Sequence, residues 1–171
     1  MQHHFSIATE KDIPELDKLV NSAYRGDSSK IGWTTEADLL DGIRTDKTAL
    51  TKMIRQPHSI ILKCTNEKNQ LAGCVYLQKQ DEKMYLGMLT VSPYLQAKGI
   101  GKKLLTAGEI YAKEQGCSAV LMTVITLRHE LVQWYIRRGY KDTGERKPFP
   151  DNPAFGIPKQ QLEFLLMEKA I

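Results

Sequence analysis

With 171 residues, 42% of them hydrophobic and 26% charged, the chain has the dimensions of one soluble globular domain that needs neither disulfides nor a metal to fold. Its formal net charge of +4 suits an anionic small ligand or a merely solvated surface, and falls short of the concentrated basic stripe of a nucleic-acid binder. Three cysteines without C-x-x-C spacing, no apolar run near the ~20 residues of a membrane span and no signal-type apolar start argue against zinc, disulfide-framework and membrane classes and leave the cytoplasm as the default setting.

Residues 5–8 predict a short opening strand. Helix-start signals at Thr9 and Asp12 precede Ile13, Leu16, Leu19, Val20 and Ala23, which recur at helical spacing. Residues 25–32, polar and glycine-bounded, are expected as a loop. Thr34 or Thr35 then caps a second helix carrying Leu39, Leu40 and Ile43, and Thr45 opens a short third helix ending before Pro57. Residues 58–64, 71–78 and 84–91 predict three strands of a meander. A long helix follows with Ile100, Leu104, Leu105, Gly108, Tyr111 and Ala112 on one face, closed by Gly116. Residues 119–124 are all apolar or β-branched, as expected of a central strand covered on both faces. A helix over 128–138 ends at Gly139. A strand from Tyr140 and a last one near 162–167 are separated by the loop 147–158. This order predicts a single α/β domain over 1–171, a mixed sheet with helices on both faces.

The stretch most informative about chemistry is MLTVSPYLQAKGIGKKLL, from Met88 to Leu105. A strand runs into a tight turn that opens a helix. Gly99 and Gly101 let the backbone approach a ligand and point free N–H groups at it, while the helix N-terminus favours negative charge. Lys98, Lys102 and Lys103 stand beside this cradle, which fits a pyrophosphate. A dinucleotide fingerprint would need a small residue where Leu104 stands and an acid some twenty positions on, and 119–124 carry none. Gly101 is followed by Lys102-Lys103 rather than by the Lys-Ser/Thr of a P-loop, and no G-x-S-x-G is present. The bland alternative is a G-x-G that merely makes a turn.

Gln96-x-x-Gly99-x-Gly101 resembles the Q/R-x-x-G-x-G/A acetyl-CoA signature of the GNAT superfamily, after the fourth strand and opening the third major helix as in that family. Trp134-Tyr135-Ile-Arg-Arg-Gly139-Tyr140 is similar to the family's Y-x-x-x-G-F/Y element. The resemblance implies six or seven strands with the fourth and fifth splayed apart. It implies acetyl-CoA held by Leu89, Thr90 and Val91 along the pantetheine arm and by Gln96, Ala97, Lys98, Gly99, Ile100, Gly101 and Lys102 at the pyrophosphate. It further implies Tyr135 as the acid that protonates the departing thiolate, although an aromatic pair ending an amphipathic helix also suits plain core. The partners it implies are acetyl-CoA and an amine acceptor, without metal or nucleic acid; a homodimer stays open.

Two positions depart from the family pattern. Arg128 stands where an asparagine is frequent, and Tyr85 stands where some members carry a carboxylate base; no acid occurs from 83 to 96. The acceptor side is expected in the loop after the first helix, where Arg25 has the fork to clamp a carboxylate, Trp33 to wall a pocket and Glu36 to hold or deprotonate an amine. Trp33 as a core plug and Glu36 as an ordinary first-turn acid is the competing reading. For the base, water assisted by Glu36 ranks before His129. None of the cysteines is placed for an acyl intermediate, so direct attack in a ternary complex is expected over a covalent route. A non-catalytic acyl-CoA-binding module is the alternative to an acetyltransferase.

Overall fold

The computed structural model describes residues 2–96, 98–150 and 152–171. Its main sheet has seven strands, β1 (His4–Ile7), β3 (Ser59–Thr65), β4 (Leu71–Gln80), β5 (Lys83–Val91), β6 (Ala119–Ile125), β7 (Lys141–Pro148) and β9 (Glu163–Ala170), in the order β1-β3-β4-β5-β6-β9-β7. All neighbours are antiparallel except β5 and β6. A separate ribbon pairs β2 (Leu40–Asp41) with β8 (Ile157–Pro158). The helices are α1 (Ile13–Tyr24), the single turn α2 (Gly26–Ser29), α3 (Lys47–Arg55), α4 (Ile100–Glu114) and α5 (His129–Ile136). No described helix is long and apolar enough to cross a membrane.

Two apolar layers cover the two faces of the sheet. On one, Leu16 and Val20 of α1 and Leu50 of α3 pack on Ile61, Cys74 and Tyr76. On the other, Leu104 and Ala112 of α4, with Tyr135 of α5, pack on Val75, Leu77, Leu86, Val120 and Met122. Side chains alternate along a strand, so Cys74 and Tyr76 meet α1 while Val75 and Leu77 meet α4. Gly108 brings α4 close to the sheet: a Cβ there would stand 3.3 Å from methyls of Leu77 and Leu86.

The long elements lie where periodicity predicts them; the stretch between α1 and α3 does not. Residues 34–46 form no second helix. One turn hydrogen-bonds Leu39 N–H and Leu40 N–H to Glu36 O, and Leu40 then enters the ribbon, buried beside Ile125 and Leu162. Gly42 turns the chain at φ +81°, a conformation that ends helical propagation. The expected loop 25–32 contains α2. The next helix is capped by Asp46, not Thr45: Asp46 Oδ1 accepts from Ala49 N–H at 2.7 Å. Asp46→Ala is therefore expected to cost about 1 kcal/mol, read as a lower urea midpoint at unchanged m-value. β6 is also less enclosed than its composition suggests, since Leu121 and Thr123 are half-buried.

Candidate active site

The site begins with a break in the sheet. β5 pairs with β6 only from Lys83 to Tyr85, against 119–121; beyond that the two strands diverge. On the other side of β5, Gly87 pairs with Tyr76 and Thr90 with Cys74, so Met88 and Leu89 together oppose Val75. This is a β-bulge, and Met88 sits at φ +52° within it, a conformation that costs a non-glycine residue about 1–3 kcal/mol. The extra residue reverses the facing of the strand: Met84 and Leu86 join the α4 layer, whereas Met88 joins the α1 layer. Thr90 Oγ1 donates to Met88 O at 2.9 Å, satisfying a carbonyl that the bulge removes from the ladder.

Ser92 N–H bonds Ala72 O on β4, so by alternation Leu89 and Val91 turn their backbone groups to the open edge. Their carbonyls are already engaged. Tyr24 Oη donates to Leu89 O at 2.7 Å, and Gln96 Nε2 donates to Val91 O at 3.1 Å. The edge therefore presents N–H groups to an incoming ligand.

A cleft of about 250 Å³ runs from this edge to the start of α4, with Leu89, Thr90, Val91, Gly99, Gly101 and Lys102 in its wall. Gly99 caps α4 at φ +84°, the left-handed region that favours glycine. Its carbonyl accepts from Lys103 N–H, and the N–H groups of the first turn face outward, as at any helix start. The Ile100 side chain is buried in the core, which leaves its backbone for ligand contact. Lys98 is exposed and does not line the cleft; Ala97 lies outside the described residues. Gln96 acts as a clamp: besides its bond to Val91 O, its Oε1 accepts from Trp33 N–H at 2.6 Å. Gly32 passes so close that a Cβ there would collide with the Gln96 amide at 2.3 Å. This clamp draws Trp33 into the wall of the cleft. Trp33 does not line the acceptor-side cavity expected for it.

That second cavity, also about 250 Å³, opens where β6 departs from β5. Tyr24, Leu89, Arg128, Leu131 and Tyr135 line both spaces, so the two meet around the Tyr135 ring. Tyr135 is buried, held edge-on between Trp134 and Tyr140 at centroid distances of 5.1 and 5.8 Å. Burial, reinforced by neighbouring Tyr24, pushes its phenol well above the ordinary range, which keeps the hydroxyl protonated.

Arg25 and Glu36 do line the second cavity, but not as free groups. Arg128 Nη1 donates to Glu36 Oε2 at 2.9 Å and Nη2 to Thr34 Oγ1 at 2.8 Å. Arg25 Nη1 lies 3.1 Å from Glu36 Oε1, an ion pair without hydrogen-bond alignment, while Nη2 donates to Phe155 O at 2.8 Å. All three side chains are more than nine-tenths buried. Burial lowers the Arg25 guanidinium from its usual value, against the pull of Glu36. Glu36, expected as a base, thus has both oxygens engaged by guanidinium groups. Arg128, at the position frequent for asparagine in the family, is a structural partner of this triad.

His129 is exposed and lines neither cavity. The three cysteines are buried and line neither, and burial raises the thiols of Cys64 and Cys74 to about 11 and about 12. Two residues of the site carry no sequence signal strong enough to single them out. Tyr24 opens the loop expected on the acceptor side without being singled out there, and Arg44, 5.2 Å over the Tyr24 ring, falls in a segment expected to be helical.

A family model described as Acetyltransferase (GNAT) domain matches residues 39–151, more than half of the chain. N-acetyltransferase family 8 member 7 from Mus musculus is 24% identical over 119 residues, which is 66% of this chain and 52% of that protein. The chain spans about half the length of the curated relatives it matches. Among solved structures, the PaiA N-acetyltransferase from Thermoplasma acidophilum, in complex with coenzyme A, superposes with a TM-score of 0.70 at 18% identity, covering 100% of both chains. The ribosomal-protein-S18-alanine N-acetyltransferase from Escherichia coli gives 0.73 at 13% identity, over 99% of this chain and 94% of that one. Identities this low carry the fold, and together with the divided strands, the bulge and the matched family they give one conclusion: the chain belongs to the GNAT acetyltransferases.

Proposed function

We propose that the chain is an N-acetyltransferase that moves the acetyl group of acetyl-CoA to a primary amine by direct attack within a ternary complex. The observation that carries this reading is the meeting of the two cavities at an open strand edge beside a buried, protonated phenol. The first turn of α4 and Lys102 receive the pyrophosphate, where helix N–H groups and charge favour an anion. The pantetheine arm lies along Leu89–Val91, and an N–H of that edge donates to the thioester carbonyl as charge develops there. The amine nitrogen bonds to the carbonyl carbon, the carbon–sulfur bond breaks, and Tyr135 Oη gives its proton to sulfur. The proton of the amine leaves through water in the second cavity, which restores Tyr135; Glu36 is committed to two arginines and His129 stands outside. Buried thiols away from both cavities fit direct transfer.

Ligand-linked stability tests the cradle. Acetyl-CoA at ~100 times its Kd should add about 2.7 kcal/mol, raising Tm by roughly 5–10 °C. Gly101→Val is expected to abolish the shift. A Cβ at 101 meets Trp134 and Val91 at an ordinary 3.6 Å, so the larger side chain is housed by filling the cleft. Gly101 is a cleaner probe than Gly99, where φ +84° would add backbone strain. A full shift in Gly101→Val would remove the cradle from the reading. Free-thiol release with an amine panel separates turnover from mere acyl-CoA binding.

A further inference from the structure

We propose that the second cavity selects amines that carry a carboxylate close to the nitrogen, namely free amino acids with a large apolar side chain, and that Arg44 holds that carboxylate. This rests on the acetyl-transfer reading above and names its acceptor class.

Charge makes the first argument. Three guanidiniums, Arg25, Arg44 and Arg128, face one carboxylate, Glu36, among the described lining residues. Glu36 is consumed by Arg25 and Arg128. Arg44 makes no ion pair among the described residues, and its guanidinium lies over the face of Tyr24. The excess extends deeper, since Nε of Arg25 and of Arg128 are buried without a hydrogen-bond partner. Burying donors in this state is costly unless something accepts from them, and a carboxylate matches the guanidinium fork.

Distance makes the second. Arg44 lies over the ring of Tyr24, and the hydroxyl of that same ring touches Leu89 O on the edge where the thioester is placed. On the proposed placement of the thioester, one phenol ring then separates the anion site from the reacting carbon, which suits an α-amino acid better than a long-chain acid. The rest of the wall decides the side chain. Tyr85, Phe149, Phe155 and Phe164 line the cavity, with the Phe149 and Phe164 rings 5.2 Å apart. This surface favours an apolar side chain and, with the positive excess, disfavours polyamines.

The test is a set of matched acceptors at saturating acetyl-CoA, read by thiol release. L-phenylalanine, L-tryptophan, L-tyrosine and L-leucine are each paired with their own amide, whose amine is more often unprotonated, so a preference for the acid cannot arise from basicity. For at least one pair kcat/KM should favour the acid by about 10²-fold, consistent with a charge-assisted contact. Arg44→Gln should reduce that ratio at least tenfold through KM for the acid, and Arg44→Lys should restore part of it. Amides equal to or better than the acids, an unchanged ratio in Arg44→Gln, or a preference for spermidine or phosphoethanolamine would each overturn the assignment. Should no amine turn over, binding decides: with coenzyme A saturating, N-acetyl-L-phenylalanine should raise Tm more than its amide, and equal shifts overturn the proposal. The acetyl-CoA shift of Gly101→Val reports the underlying reading separately.

Discussion

Tyr135→Phe is expected to lower kcat roughly 100-fold while leaving KM for acetyl-CoA near its wild-type value. The ring stays, and with it the edge-on contacts to Trp134 and Tyr140. Among the described residues the hydroxyl makes no hydrogen bond, so its removal leaves no partner stranded and stability should change little. What is lost, on the proposed mechanism, is the proton donor at the junction of the two cavities. The pH dependence follows from its environment. Burial holds the Tyr135 phenol far above the ordinary value of about 10, so the donor form persists through neutral and mildly alkaline pH. The ratio of wild-type to variant kcat should then be flat from about pH 6 to 9, and any limb in that range belongs to the amine. Single-turnover rates should show the same deficit, which separates chemistry from product release. An unchanged single-turnover rate would return Tyr135 to packing.

The parts legible in the sequence are those governed by local spacing. Ile13, Leu16 and Val20 announce α1, and Leu104, Leu105 and Ala112 announce α4, because each helix buries one stripe. The turn that opens α4 is legible because Gly99 adopts a left-handed conformation there, whereas Gly101 is under no packing demand, since a Cβ would meet Val91 and Trp134 at ordinary contact distance. The illegible parts depend on contacts distant in the chain. Leu40 leaves the helical pattern for a ribbon with residues 157–158, and no local propensity encodes that partner. The bulge at Met88 has one local marker, the isolated Gly87 just before it, which is too weak a signal to fix a change of register. Its signature is an exchange of faces that shows once β4 and α1 are both in place. Arg25, Glu36 and Arg128 read separately as a clamp, a base and an odd substitution. Their joint meaning depends on a pairing across 92 residues. Gln96 belongs to a recognisable motif, yet its work here is to hold Trp33 and Val91.

Glu36→Gln is expected to cost about 3–5 kcal/mol of stability, the range for removing one partner of a buried ion pair, measured by urea unfolding. The carboxylate sits between Arg25 and Arg128, each within 3.1 Å of one of its oxygens, and all three are almost fully excluded from solvent. A neutral amide can accept from one guanidinium, but it cannot offset the repulsion between two. Screening is weak at this depth, so added salt should recover little of the loss. Arg25→Met combined with Glu36→Gln should be less destabilised than Glu36→Gln alone, because removing one guanidinium relieves the excess charge; a double-mutant cycle gives the coupling. Activity divides the two roles open to Glu36. A general base lost from the site would be replaced at alkaline pH, where the free amine supplies itself, and the rate would recover. A positioning residue would not: without Glu36, Arg128 and the loop carrying Thr34 lose their anchor, and the wall of both cavities shifts. Glu36→Gln is therefore expected to lose kcat/KM at least tenfold with no recovery up to pH 9, and recovery there would make Glu36 the base after all.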